Sequence, residues 1–142
     1  MEGKYLLYAD DDIDDQEMIR DMMYEINPIV EVVCLNNGAK VIEFLDGLSD
    51  TDSYPCLIVL DLNMPGLGGL ATLQKLKGHQ TYSAIPVVMY TTSNNVQERE
   101  YARVLGVEEF ITKPVETKAL EDVIHKFASL CHTPDQTFPE AG

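Results

Sequence analysis

Basic residues are scarce in this chain of 142 residues. Ten lysines and arginines stand against 24 aspartates and glutamates, which gives a formal net charge of −14. So acidic a protein repels the phosphate backbone of nucleic acids, and we expect no nucleic-acid partner. A long apolar run is also lacking, since the N-terminal stretch 5–9 is too short for a signal-peptide core or a membrane span. We therefore expect a cytoplasmic protein with no membrane partner.

Cysteines are few and irregularly spaced. Cys34, Cys56 and Cys131 form no C-x-x-C pair and no metal-ligand pattern. Cys34 and Cys56 adjoin apolar runs, so we expect buried, reduced thiols, as in a reducing compartment.

Strand-like and helix-like segments alternate along the chain. Five short apolar runs, rich in β-branched and aromatic residues, predict strands at 5–9, 30–35, 57–60, 86–90 and 109–112. Several of these runs are nearly continuous, which is typical of strands buried on both faces. Helical periodicity fills the intervals, including a fourth, more polar helix over 96–105. The pattern predicts an α/β fold with a doubly wound, five-stranded parallel sheet, flavodoxin-like (βα)5, in strand order 2-1-3-4-5.

The domain organisation is simple. We expect one domain over residues 1–131 and a disordered tail over 132–142, where two prolines and little apolar character occur. We also expect no output domain.

Polar groups follow four of the predicted strands: the acidic run 10–12, then Asp61, Thr91 and Lys113. Ligands of open parallel sheets bind beyond the carboxyl ends of the strands, so these groups should converge. Converging carboxylates repel one another unless a cation neutralises them, and oxygen ligands alone suit Mg²⁺. A carboxylate beside a lysine and a hydroxyl is a plausible phosphoryl acceptor. Each residue alone has a more ordinary interpretation, such as a helix N-cap; the conjunction favours a site.

Four motifs extend this pattern. They are Leu-Leu-Tyr-Ala-Asp-Asp at 6–11, Leu-Ile-Val-Leu-Asp-Leu-Asn-Met-Pro at 57–65, Ile-Pro-Val-Val-Met-Tyr-Thr-Thr at 85–92 and Phe-Ile-Thr-Lys-Pro at 110–114. Over about residues 4–131 the chain resembles response-regulator receiver domains of the CheY-like superfamily, of the stand-alone single-domain type. The third-strand motif and the longer loop before it resemble the subgroup that includes phytochrome-associated regulators.

The resemblance implies a role for each matching residue. Asp61 would accept a phosphoryl group from a histidine kinase or phosphotransfer domain. Mg²⁺ would be held by Asp11, Asp61 and the backbone carbonyl of Asn63, with Asp10 acting directly or through water. Lys113 would pair with Asp61 and then with the phosphoryl oxygens.

The resemblance also implies a signalling route. The Thr91 hydroxyl would move onto the phosphoryl group, Phe110 would follow it inward, and the bond before Pro114 would be cis, aiming Lys113 at the crevice. The face of helix 4, strand 5 and helix 5 would then bind a downstream protein. Such a chain is no enzyme beyond its own phosphorylation and dephosphorylation.

Two local assignments stay open. The acidic pair could be Asp11–Asp12, although we favour Asp10–Asp11, with Asp14 or Asp15 capping the first helix. The phosphodonor would dock near the first helix, where the apolar stripe that includes Met18 favours a core face over a docking surface.

One position departs from the family. An acidic residue often precedes the glycine that opens the third helix in this family, and here Gly68 stands in its place.

Two other functions compete. One is an unphosphorylated, receiver-like scaffold. The other is a haloacid-dehalogenase-like phosphatase, which would need a second aspartate where Asn63 stands.

Overall fold

The computed structural model describes residues 4–50 and 53–131. Its strands are β1 (Lys4–Ala9), β2 (Val30–Leu35), β3 (Leu57–Leu60), β4 (Val87–Thr91) and β5 (Glu109–Thr112). Its helices are α1 (Ile13–Ile26), α2 (Gly38–Asp46), α3 (Gly69–Lys77), α4 (Val96–Leu105) and α5 (Thr117–Cys131), with a 3-10 turn at Tyr82–Ala84. Three strands and α4 match the predicted bounds, β1 begins one residue earlier than predicted, and β4 is shifted by one residue towards the C-terminus. The tail 132–142, predicted to be disordered, lies outside the described residues.

All strand pairs are parallel, and the sheet order is β2-β1-β3-β4-β5. This confirms the predicted flavodoxin-like topology. In β3 and β4 every residue is buried, as expected for central strands covered by helices on both faces. The order matters for function because β1, β3, β4 and β5 lie side by side, and their carboxyl ends share one edge.

Two apolar cores sandwich the sheet. Alternate residues of β1 supply them: Leu6 and Tyr8 pack on the α1–α5 side, whereas Leu7 and Ala9 pack against α2, α3 and α4. Phe127 of α5 is fully buried on the first side. Each such large apolar side chain contributes about 1.5–3 kcal/mol on burial. The rigid sheet that results fixes the positions of the strand ends.

The first helix begins differently from our expectation. Asp12 is its N-cap, and its carboxylate accepts hydrogen bonds from the backbone N–H groups of Asp14 at 2.9 Å and Asp15 at 3.2 Å. The assignment of the cap to Asp14 or Asp15 is therefore wrong. Asp12 takes this role because its extended backbone places its side chain under the first turn, where free N–H groups need acceptors.

Most of the methionine-rich stripe of α1 faces the core, as we favoured. Ile19 and Met23 are buried and Met22 packs against the same core, but the Met18 side chain is 47% exposed.

The expectation of a reduced thiol is wrong for Cys56. Cys56, before β3, and Cys131, at the end of α5, form a disulfide with their Cα atoms 4.9 Å apart. The two residues are 75 positions apart in sequence, and only the packing of α5 against the sheet brings them together. Cys34 is free and half-buried, and burial raises the pKa of its thiol.

Within the described ranges, no helix is both long and apolar enough to cross a bilayer.

Candidate functional site

The predicted strand ends meet at one edge of the sheet. Backbone hydrogen bonds continue past the strands and fix this edge. The N–H of Asp10 donates to Leu35 at 3.0 Å, that of Asp61 to Ala9 at 2.9 Å, and that of Lys113 to Thr91 at 2.7 Å. The functional side chains therefore leave the backbone at positions set by sheet register.

Three carboxylates cluster at this edge. One carboxylate oxygen from each of Asp10, Asp11 and Asp61 lies within 4.8 Å of the other two. Asp10 is fully buried and Asp61 is 7% exposed, whereas Asp11 is exposed. The cluster contains Asp10 and Asp11, the pair that we favoured, whereas Asp12 is occupied as the helix cap; their role as metal ligands stays a prediction. A convergent set of hard oxygen donors with one open side fits a divalent cation such as Mg²⁺.

Lys113 is the counter-charge inside this cluster. Its ammonium lies 2.8 Å from a carboxylate oxygen of Asp10, 2.8 Å from Asp15 and 3.4 Å from Asp61. An ammonium has three N–H donors, so all three are engaged. The Lys113 side chain is only 12% exposed, which strengthens these ion pairs relative to those on the surface.

The predicted cis bond before Pro114 is wrong. The described residues contain no cis peptide bond. Lys113 reaches the carboxylates with a trans bond because its backbone is held by Thr91 on the neighbouring strand.

Burial and neighbouring charges shift the pKa values of both Asp61 and Lys113. Burial raises the pKa of Asp61 above its usual value, and the negative charge of Asp10 adds to this, although Lys113 acts in the other direction. Burial alone would lower the pKa of Lys113, but hydrogen bonds to Asp10 and Asp15 outweigh it and hold this pKa above its ordinary range. Lys113 therefore keeps its positive charge, whereas the ionised form of Asp61 is disfavoured by its surroundings.

Two groups in the site escaped sequence analysis. The buried Tyr8 hydroxyl donates to Asp10, and burial, followed by this hydrogen bond, raises the pKa of Tyr8. Asp15 pairs with Lys113, because α1 places its first turn beside the strand ends. The acidic pattern at 10–15 is the only signal for Asp15, and it does not tell which acid faces inward.

The structure also gives the positions of the other three predicted site residues, Thr91, Phe110 and Asn63. Thr91 is fully buried, and its hydroxyl accepts a hydrogen bond from the N–H of Ser93 at 3.2 Å. Phe110 is half-buried, with the Arg99 guanidinium 4.7 Å from its ring centre. Asn63 is exposed, and its N–H lies 3.5 Å from the Asp61 carboxylate. Their roles stay predictions.

The loop after Asp61 is tightly packed at Gly69 and has more space at Gly68. A Cβ at Gly69 would lie 2.4 Å from the Asp61 carbonyl oxygen, so only glycine fits there. A Cβ at Gly68 would meet nothing closer than 3.4 Å. Position 68 therefore has room for a Cβ atom.

Comparison with known proteins agrees with this geometry. A family model of the response regulator receiver domain matches residues 6–125. The chain belongs to this family. Receiver domains are signalling modules of two-component systems, and this receiver carries the acidic cluster and lysine just described.

The receiver has relatives of different lengths. It is 28% identical over 128 residues to the response regulator Rcp1 of Synechocystis, covering 89% of this chain and 87% of Rcp1. It is 33% identical over 121 residues to the nitrate/nitrite response regulator NarL of Escherichia coli K12, covering 82% of this chain but only 53% of NarL. The chain thus spans about half the length of some relatives.

Solved structures share the fold. The phosphorylated cyanobacterial phytochrome response regulator RcpA matches with a TM-score of 0.82 and 26% identity, covering 92% of this chain and 95% of RcpA. The Mn²⁺-bound form of Rcp1 matches with a TM-score of 0.78 and 27% identity, covering 89% and 92%.

Proposed function

We propose that this receiver accepts a phosphoryl group on Asp61, with the help of a divalent cation, and signals by phosphorylation-dependent protein binding. One observation carries the proposal. Asp61 lies in a cluster with Asp10 and Asp11, and the nearly buried ammonium of Lys113 contacts it at 3.4 Å. A structural salt bridge needs one carboxylate for one lysine, whereas this corner keeps excess negative charge.

Phosphoryl transfer asks mainly for positioning and charge neutralisation. Asp61 supplies a carboxylate oxygen as nucleophile at a position fixed by its backbone hydrogen bond to Ala9. Lys113 supplies a fixed positive charge for the phosphoryl oxygens. Thr91, at the end of β4, supplies a hydroxyl from the neighbouring strand.

The cation would be held by Asp11, Asp61 and the backbone carbonyl of Asn63, with Asp10 acting directly or through water. Bound there, Mg²⁺ would neutralise charge that develops on the transferred group. The hard oxygen donors support this choice. Similarity to an Mn²⁺-bound and to a phosphorylated regulator supports it too.

The donor would be a phosphohistidine on a histidine kinase or phosphotransfer domain. It would approach near α1, where Met18 is exposed beside Asp15 and Lys113 at the crevice mouth. The reaction transfers the phosphoryl group from the histidine nitrogen to the Asp61 oxygen and releases the histidine. We propose no catalysis beyond this self-phosphorylation and the hydrolysis of the aspartyl phosphate, in which water takes up the phosphoryl group and leaves the free Asp61 carboxylate and inorganic phosphate.

The output would be a changed binding face on α4, β5 and α5. Phosphorylation adds about −1.5 to −2 charge next to Thr91. Thr91 and Phe110 would respond and shift a two-state equilibrium. On α4, Val96 is 75% exposed and Val104 is 68% exposed, so apolar surface is available for a downstream protein.

We propose the cytoplasm as the location, because phosphohistidine signalling operates there. The Cys56–Cys131 disulfide is the feature that points the other way, since disulfides persist in oxidising compartments.

Incubation of the purified chain with Mg²⁺ and acetyl phosphate, followed by intact mass spectrometry, tests the proposal. We expect a gain of one phosphoryl group that requires the cation and is absent with EDTA. No modification by acetyl phosphate or phosphoramidate would favour an unphosphorylated scaffold. Sustained turnover of phosphate esters would favour a phosphatase.

A further inference from the structure

Lys113 is shared unequally among its three carboxylates. Its ammonium lies 2.8 Å from Asp15, as close as from Asp10, and 3.4 Å from Asp61. The proposed phosphoacceptor is thus the most distant partner of the lysine. Asp15 lies on the first turn of α1, and the proposed phosphoryl transfer gives it no role.

We propose that Asp15 is a positioning residue that holds Lys113 back from Asp61 and so restrains phosphorylation. The inference rests on the proposed function. The ion pair with Asp15 would compete with the contact between Lys113 and the phosphoryl oxygens on Asp61.

The argument starts from the donor count. All three N–H donors of Lys113 are engaged before any phosphoryl group arrives. A phosphoryl group on Asp61 brings new oxygens and a charge of about −1.5 to −2 to the same ammonium. One existing contact must therefore be given up or weakened.

Burial decides which contact is released. Asp10 is fully buried, and it also accepts hydrogen bonds from Tyr8 and from the backbone N–H of Asp12. Loss of its cation would leave a buried, uncompensated charge, which is costly. The Asp15 side chain is 32% exposed and can be rehydrated when the lysine leaves. Asp15 is therefore the partner that phosphorylation displaces.

An alternative explanation of Asp15 is a favourable acid at a helix N-terminus. Asp14 is the matched control, because it occupies the same turn and its N–H donates to the same Asp12 carboxylate. In the described part of the chain, Asp14 forms no ion pair with Lys113.

The test measures initial phosphorylation rates with acetyl phosphate and Mg²⁺ by intact mass for the wild type, Asp15→Asn, Asp15→Glu and Asp14→Asn. Asp15→Asn should phosphorylate faster by about two- to fivefold, the factor expected for loss of one partly exposed ion pair. Asp14→Asn and Asp15→Glu should stay near the wild-type rate. An Asp15→Asn rate equal to or below that of Asp14→Asn would overturn the inference, and so would an Asp15→Glu rate as high as that of Asp15→Asn.

A second measurement needs neither cation nor phosphoryl group. In EDTA, Asp15→Asn should lower the urea midpoint more than Asp14→Asn does, and this excess should vanish in a Lys113→Met background. Persistence of the excess would show that Asp15 acts without Lys113. If the wild type takes up no phosphoryl group, the proposed function fails. If it does and Asp15→Asn matches Asp14→Asn, only this inference fails.

Discussion

Removal of the Lys113 charge should lower the free energy of unfolding strongly, by an amount that depends on pH. In Lys113→Met, the fully buried Asp10 and the Asp61 side chain, 10% exposed, lose the ammonium that contacts both. Loss of one partner from a buried ion pair costs about 3–5 kcal/mol. An independent bound agrees, because protonation of one carboxyl group with an ordinary pKa of about 3.9 costs about 4 kcal/mol at pH 7.

The same bound gives the pH dependence. Without Lys113, which acts to lower it, the folded-state pKa of Asp61 rises further, so the folded state binds more protons than the unfolded state as pH falls from 7. Relative stability of the variant therefore increases on acidification. At pH 5, protonation of one carboxyl group costs only about 1.5 kcal/mol. We expect a deficit of about 3–4 kcal/mol at pH 7 in EDTA that shrinks to about 1.5 kcal/mol at pH 5.

Urea unfolding of both proteins at the two pH values measures this deficit. Lys126→Met is the matched control, since its ion pair with Glu109 at 3.1 Å is 46% and 41% exposed. It should cost less than about 1 kcal/mol at either pH. A Lys113→Met deficit below about 1 kcal/mol, or one that does not shrink at pH 5, would refute the reasoning.

Three further outcomes follow from the geometry. Because burial raises the pKa of Asp61, Asp61→Asn should be more stable than the wild type at pH 7 in EDTA, and this advantage should disappear below about pH 4; equal urea midpoints at pH 7 would contradict it. Alkylation of the denatured chain without reductant should label one thiol, Cys34, and all three with reductant; three labels in both cases would show that no disulfide forms. Gly38→Ala should cost about 1–3 kcal/mol, since its Cβ would lie 1.8 Å from the Thr72 hydroxyl oxygen, whereas Gly47→Ala, with 3.5 Å of space, should not.

Much of the fold was predictable because apolar periodicity encodes it directly. The runs at 30–35, 57–60 and 109–112 have the observed strand bounds. The central strand β3 is buried throughout and contains no polar residue, whereas the edge strands β2 and β5 are marked by β-branched and aromatic residues. Right-handed crossovers then leave few topologies. The Cys56–Cys131 disulfide was not predictable, because the pairing depends on where α5 packs and not on any local spacing.

Some residues of the site could likewise be predicted from the sequence, and others could not. Asp10, Asp61, Thr91 and Lys113 were found because each follows a strand, and strand ends converge in a parallel sheet. The sequence did not identify Asp15 as the acidic residue of α1 that pairs with Lys113. Five acids between 10 and 15 each suit a helix start, and only the rotation of the helix decides which one meets the lysine.

The central claim is that Asp61 takes the phosphoryl group. Peptide fragmentation of the chain after reaction with acetyl phosphate and Mg²⁺ tests it most directly. Asp46→Asn, which removes an exposed carboxylate at the end of α2, is the control. We predict that the added mass lies on Asp61, persists in Asp46→Asn and is absent from Asp61→Asn. Modification at any other residue, or an unchanged mass gain in Asp61→Asn, would contradict the claim.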